Sequence, residues 1–243
     1  MGVPDGGALV AAAPALKIDW ANMPTYNTVM SLAAGTGLLL VVGLGYQLRG
    51  GGRVVTQGYA LAFGILGVIL ALTGLHMSLT WPLAAGGFPF DNVIFGEPSL
   101  IFGFLLLGAA FYLWKRGETL AEPGERVSVV AGVAGPISVF VFGSGLAAFG
   151  IAAAGIKYTL FAAPPQEPIS GMFAAHPQVE ATFMSLLYVL VGIGAVLFPF
   201  ALRKNAKGVQ VVVGVAWGLA GIAFFLFGAL NYFTHIGLIV NTM

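Results

Sequence analysis

The sequence predicts an all-α protein, an integral membrane bundle of six transmembrane helices with both termini extracytoplasmic. Three observations predict it: the scarcity of charge, six apolar runs of spanning length, and a one-sided distribution of basic residues. Only 8 % of the 243 residues are charged and 58 % are hydrophobic, against about 25 % charged in an ordinary soluble domain. The mean hydropathy is +0.95. A soluble chain of this length must cover itself with polar side chains, and this one has too few, so soluble and disordered classes are both excluded. A net charge of +1 with no basic cluster argues against nucleic-acid binding. The absence of cysteine excludes disulfides, zinc–thiolate sites and iron–sulfur ligation.

The chain reads as one membrane domain over residues 1–243. Residues 1–26 form an external N-terminal arm, Ala/Gly-rich and without the basic start of a signal peptide. Residues 27–243 form the six-helix bundle. The predicted helices are Asn27–Leu48, Val54–Leu79, Glu97–Trp114, Val127–Leu160, Pro177–Leu202 and Val209–Val240. A span needs about 20 apolar residues. The fourth and sixth runs exceed that and must tilt, break or project, with Pro136 and Phe142-Gly143-Ser144-Gly145 as expected kink points in the fourth.

Eight of the ten basic residues lie in the loops after the first, third and fifth spans: Arg49, Arg53, Lys115, Arg116, Arg126, Arg203, Lys204 and Lys207. These loops share one side of a six-span chain, and the positive-inside rule makes that side cytoplasmic. Only Lys17 and Lys157 lie on the other side.

The six spans read as three helical hairpins repeating at about 81 residues. Thr73–Leu79 resembles Ala154–Leu160, with Lys157 lying 81 residues after His76. Asp19, Glu97 and Glu180 recur at or before the starts of odd spans, and His76, Lys157 and His235 near the ends of even ones. The three histidines (His76, His176, His235) and the acids Asp91, Glu97, Glu167 and Glu180 therefore gather on the extracytoplasmic side. The inner half of the membrane holds almost no ionisable group.

Ionisable groups beside a bilayer are costly and are candidates for function. The structural alternatives stand beside that reading. Glu97 and Glu180 also suit helix starts, where acids complement the macrodipole and proline fits the first turn. His176 precedes Pro177 and also suits an N-cap. As ligands, His76 and His235 form the expected core of a cofactor site, with His176, Glu97 and Glu180 completing a metal set. Imidazole and carboxylate suit zinc, iron or copper, and histidine with methionine suits copper or haem. Met77, Met172 and Met184 are softer candidates. Lys157 is a candidate ion-pair partner for Glu97 or Glu180. The aromatics Trp20, Tyr26, Trp81, Phe88, Phe90, Phe95, Phe161 and Phe173 form either an interfacial belt or a vestibule for a lipophilic ligand such as a quinone. Glycines within the spans predict a tight six-helix bundle rather than a wide aqueous pore. Gly50-Gly51-Gly52 lacks the Lys and Ser/Thr of a phosphate-binding loop, so no nucleotide site is indicated.

The stretch Gly74-Leu75-His76-Met77-Ser78-Leu79-Thr80-Trp81-Pro82-Leu83, followed by Phe95-Gly96-Glu97-Pro98-Ser99-Leu100-Ile101-Phe102-Gly103, resembles the signature of a prokaryotic family. These are polytopic membrane proteins of archaea and actinobacteria that carry a domain of unknown function. The resemblance implies the membrane fold and marks His76, Trp81 and Glu97 as signature residues. The long N-terminal arm and the loop Ala162–Gln178 depart from it. The family names no activity.

The leading functional expectation is a metal- or haem-binding component of a respiratory or oxidative complex in a prokaryotic plasma membrane. Its site lies at the outer face, and its partners are the bilayer, other membrane subunits or a second copy. The alternatives are a non-catalytic accessory subunit and a small transporter with Glu97 or Glu180 as proton carrier.

Overall fold

A computed structural model describes residues 18–83, 88–121, 125–203 and 205–243. Most of the expected N-terminal arm, with Lys17 and also Lys204, lies outside the described residues. Among the described residues there is no strand. The helices are α1 (Asn27–Arg49), α2 (Thr56–Leu79), α3 (Glu97–Arg116), the one-turn α4 (Glu118–Ala121), α5 (Arg126–Tyr158), α6 (Pro177–Ala201) and α7 (Lys207–Thr242). Six of these segments are long and apolar enough to cross a membrane, which supports a multi-pass membrane protein. At 1.5 Å per residue, the 33 residues of α5 and 36 of α7 span about 50 and 54 Å. The hydrocarbon core is about 30 Å thick, so both helices tilt or project. Neither is broken: α5 runs through Pro136 and the Gly143–Gly145 stretch without interruption. It ends at Tyr158, two residues before the expected end, where Thr159 turns left-handed.

The third span starts earlier than its sequence suggests. A π-helical turn, Asn92–Gly96, leads directly into α3. Glu97 therefore sits inside a longer helical segment rather than at a free N-terminus, and the macrodipole reading of Glu97 loses its basis. The reason is legible in Pro98. Proline has no N–H for the carbonyl four residues back, here that of Ile94. That oxygen instead accepts a hydrogen bond from the Tyr188 hydroxyl of α6.

The helices pack as an uneven ring. The most extensive pairings are α2 with α3, α5 with α6, and α7 with α1, while α5 meets α3 and α1 only lightly. Each even-numbered span thus pairs with the odd-numbered span of the next hairpin, and the last closes on the first. Small residues permit these approaches. A methyl placed on Gly35 would lie 2.7 Å from the Gly221 carbonyl oxygen across the α1/α7 crossing. A methyl on Gly192 would lie 3.0 Å from the Gly145 oxygen across α5/α6, and one on Gly67 would lie 3.0 Å from the Gly103 oxygen across α2/α3.

The basic loops meet at one end of the ring. Arg126 is 2 % exposed and donates to the backbone carbonyls of Gln47, Gly52 and Ala121. The Val54 amide also donates to the Ala121 carbonyl, tying the first basic loop to the second. The histidines and the acids Asp91, Glu97, Glu167 and Glu180 lie at the opposite end.

Candidate functional site

Two separate polar groupings form the histidine-bearing end. The first joins the start of α1 to the end of α2. Tyr26 Oη and His76 Nδ1 share a hydrogen bond of 2.7 Å, and His76 is otherwise exposed. Burial pushes the Tyr26 hydroxyl above the usual phenol range. The second grouping joins the loop 159–176 to α6 and α7. His235 Nε2 lies 3.8 Å from Glu167 Oε1. Burial raises the Glu167 carboxyl most, the Thr234 hydroxyl counteracts this, and the nearby Glu180 charge adds to it. Glu180 accepts the Ala163 backbone N–H at 2.8 Å. The loop is held down by Asn241, which donates to the Gln166 carbonyl, and by Pro168, which packs over Gly237.

The five expected ligands are not brought together. Among the described residues no group of three or more His, Asp or Glu side chains could hold a metal ion. His76 is committed to Tyr26 and His235 faces Glu167. His176 occupies the N-cap position of α6, but its side chain makes no cap bond and is exposed. Lys157 pairs with neither Glu97 nor Glu180; its Nζ lies 5.3 Å from the Tyr158 ring centroid. Met77 and Met184 are core residues, and Met172 is 82 % exposed. The aromatics divide: Trp81 and Phe173 are exposed, whereas Phe161 is buried and stacks on Tyr188.

Between the two groupings lies a third set of residues. Asp91 is buried, and burial raises its carboxyl to about 7. Asn92, 3 % exposed, donates its side-chain amide to the Met77 and Thr80 carbonyls and fastens the π turn to the end of α2. Its Oδ1 has no partner. Asn92, Val93 and Glu97 line a hollow of about 250 Å³ with Ser78 and Trp81. The sequence gives Pro98 as a signal that the backbone departs from α-geometry here. It gives no signal for Tyr188 or Asn92, whose partners are far along the chain or carry no motif.

A cavity of about 990 Å³ lies between the helices, lined mainly by α1, α3, α5, α6 and α7. It lies where α5 stands away from α3 and α1. Along α1 its wall runs from Asn27 to Arg49, 22 rises of 1.5 Å or about 33 Å, most of a bilayer. The cavity is therefore elongated along the helices. The wall is mainly aliphatic and aromatic. Among the described residues its charged members, Glu97 and Arg49, stand at opposite ends. Asn27 and Asn231 also line it, and each keeps a buried side-chain oxygen without a partner.

A family model described as "Protein of unknown function (DUF981)" matches residues 23–237. No curated protein and no solved structure matches the chain.

Proposed function

The chain belongs to this DUF981 family of unknown function, and from that premise we propose that it binds a long-chain lipophilic molecule inside its membrane bundle. The single observation that carries this is the interior cavity. At about 990 Å³ it stands at the top of the roughly 300–1,000 Å³ range of small-molecule sites. Its length matches a membrane-spanning chain, and its apolar wall rewards burial of hydrocarbon. An aqueous ion path would need polar groups at mid-depth, and the charged residues of the wall stand only at its ends, which disfavours the transporter reading. The metal- or haem-binding reading of His76, His176, His235, Glu97 and Glu180 finds no support in the way these side chains are distributed.

Sidedness belongs to the same proposal. The loops bearing Arg49, Arg53, Lys115, Arg116, Arg126, Arg203 and Lys207 are assigned to the cytoplasm of a prokaryotic cell by their charge. The Glu97 end of the cavity then opens in the outer half of the membrane. The three-hairpin repeat is likewise proposed, supported by the cyclic pairing of even spans with the following odd ones.

Native mass spectrometry of the protein, released from mild detergent, tests the function. A retained lipophilic adduct is expected. Gly150 lines the cavity, and a Cβ added there meets nothing within 4 Å. Gly150→Leu should therefore displace the adduct without a packing clash, leaving the protein folded. A wild-type protein without any lipophilic adduct overturns the proposal. So does a stoichiometric protein partner whose helix crosslinks into the seam between α3 and α5, which is the accessory-subunit reading.

A further inference from the structure

We propose that the hollow beside Glu97 is a head-group pocket, selective for a neutral or cationic head that donates hydrogen bonds, with Glu97 as its specificity-determining residue. This rests on the lipid-binding reading and adds the chemistry of the head.

The hollow and the cavity adjoin: Val93 and Glu97 line both. A chain lying in the cavity therefore places its polar end in the hollow. The π turn makes that junction. In α-geometry, residues five apart diverge by about 140° around the axis. In a π turn residue i bonds to i+5, so Asn92 and Glu97 lie one turn apart on the same side. Both accordingly reach the one hollow.

The lining is rich in acceptors and poor in donors. The Ser78 hydroxyl already donates to the Gly74 carbonyl at 2.8 Å. The Asn92 amide N–H groups are taken by Met77 and Thr80. Among the described lining side chains, what remains is the Glu97 carboxylate, the unpartnered Asn92 Oδ1 and the lone pairs of Ser78, with the Trp81 indole as a donor and as an aromatic face for a cation. Among the described residues no Lys, Arg or His lines the hollow. A phosphate or carboxylate head would meet a like charge and lack donors, whereas a hydroxyl or ammonium head satisfies the acceptors.

Three probes of one alkyl chain, ending in amine, alcohol and phosphate, test this by competition against a bound fluorescent long-chain probe on the detergent-purified protein. The amine and alcohol should bind at least about tenfold tighter than the phosphate, the factor expected from one charge-assisted hydrogen bond. Glu97→Gln should weaken the amine about tenfold and narrow the gap to the phosphate. Trp81→Ala should weaken the amine more than the alcohol and serves if Glu97→Gln is poorly folded; Glu118→Gln, at the far end, should change nothing. Equal binding of all three heads, or binding indifferent to Glu97→Gln, overturns the head pocket while leaving chain binding intact. Failure of every probe to bind overturns both.

Discussion

A single carbonyl shows how local chemistry is settled at a distance. Pro98 removes the donor that the Ile94 oxygen would have had, and a buried carbonyl without a partner costs about 1–3 kcal/mol. The hydroxyl that satisfies it comes from Tyr188, 94 residues further along. The proline is legible in the sequence and its remedy is not, because nothing local ties Tyr188 to Ile94. Asp91 is similar. It reads as an external loop acid, yet it is 6 % exposed, and burial raises it from 3.8 to about 7. The folded protein holds a proton that the unfolded chain releases above about pH 4. The stability from this group is therefore complete below about pH 4 and is lost as the pH rises to about 7. Asp91→Asn should flatten that slope and stabilise the protein near pH 8 by at most about 4 kcal/mol. Thermal unfolding across this pH window checks it, and a variant whose profile parallels the wild type refutes it. Arg126 was legible as a positive charge on the basic side. That it is buried against the first basic loop and the end of α4 was not, since its partners are backbone carbonyls with no sequence signature.

Along α5, glycines of identical type have opposite roles. Gly145 faces α6, where a Cβ would lie 2.9 Å from both Ala195 Cβ and the Val196 backbone nitrogen. Gly150 opens on the cavity and meets nothing within 4 Å. Gly145→Val should cost about 1–3 kcal/mol through overpacking, whereas Gly150→Leu should meet no packing clash. Parallel thermal denaturation of the two variants reads the difference directly, and equal losses would mean that α5 packs in another rotation. The sequence shows both glycines and predicts close packing. It cannot say which one packs, because α5 is apolar on every face and lacks the polar stripe that orients a helix in water. Element boundaries were legible to within a few residues, except where the π turn lengthens the third span.

For the whole molecule, sidedness is the prediction that the charge pattern supports most directly. The chain has no cysteine, so single-cysteine labelling has no background. Met172→Cys, at an exposed position of the loop 159–176, should react with a membrane-impermeant maleimide on intact cells. Gly51→Cys, in the first basic loop, should react only after permeabilisation. The reverse pattern would invert the molecule and move the mouth at Glu97 to the cytoplasm.

Composition and charge order by themselves determined that the chain carries six helices long and apolar enough to cross a membrane, and that its basic loops share one end. These follow from solvation, which acts on each segment independently. The tertiary structure alone decided which helix faces meet, that the histidines fall into separate groupings, and that a chain-length cavity opens where α5 stands off α3 and α1. In a bilayer, apolar faces gain little by leaving lipid for one another, so hydropathy does not choose partners. Close contacts between small residues and a few satisfied carbonyls make that choice, and they join residues far apart in the sequence.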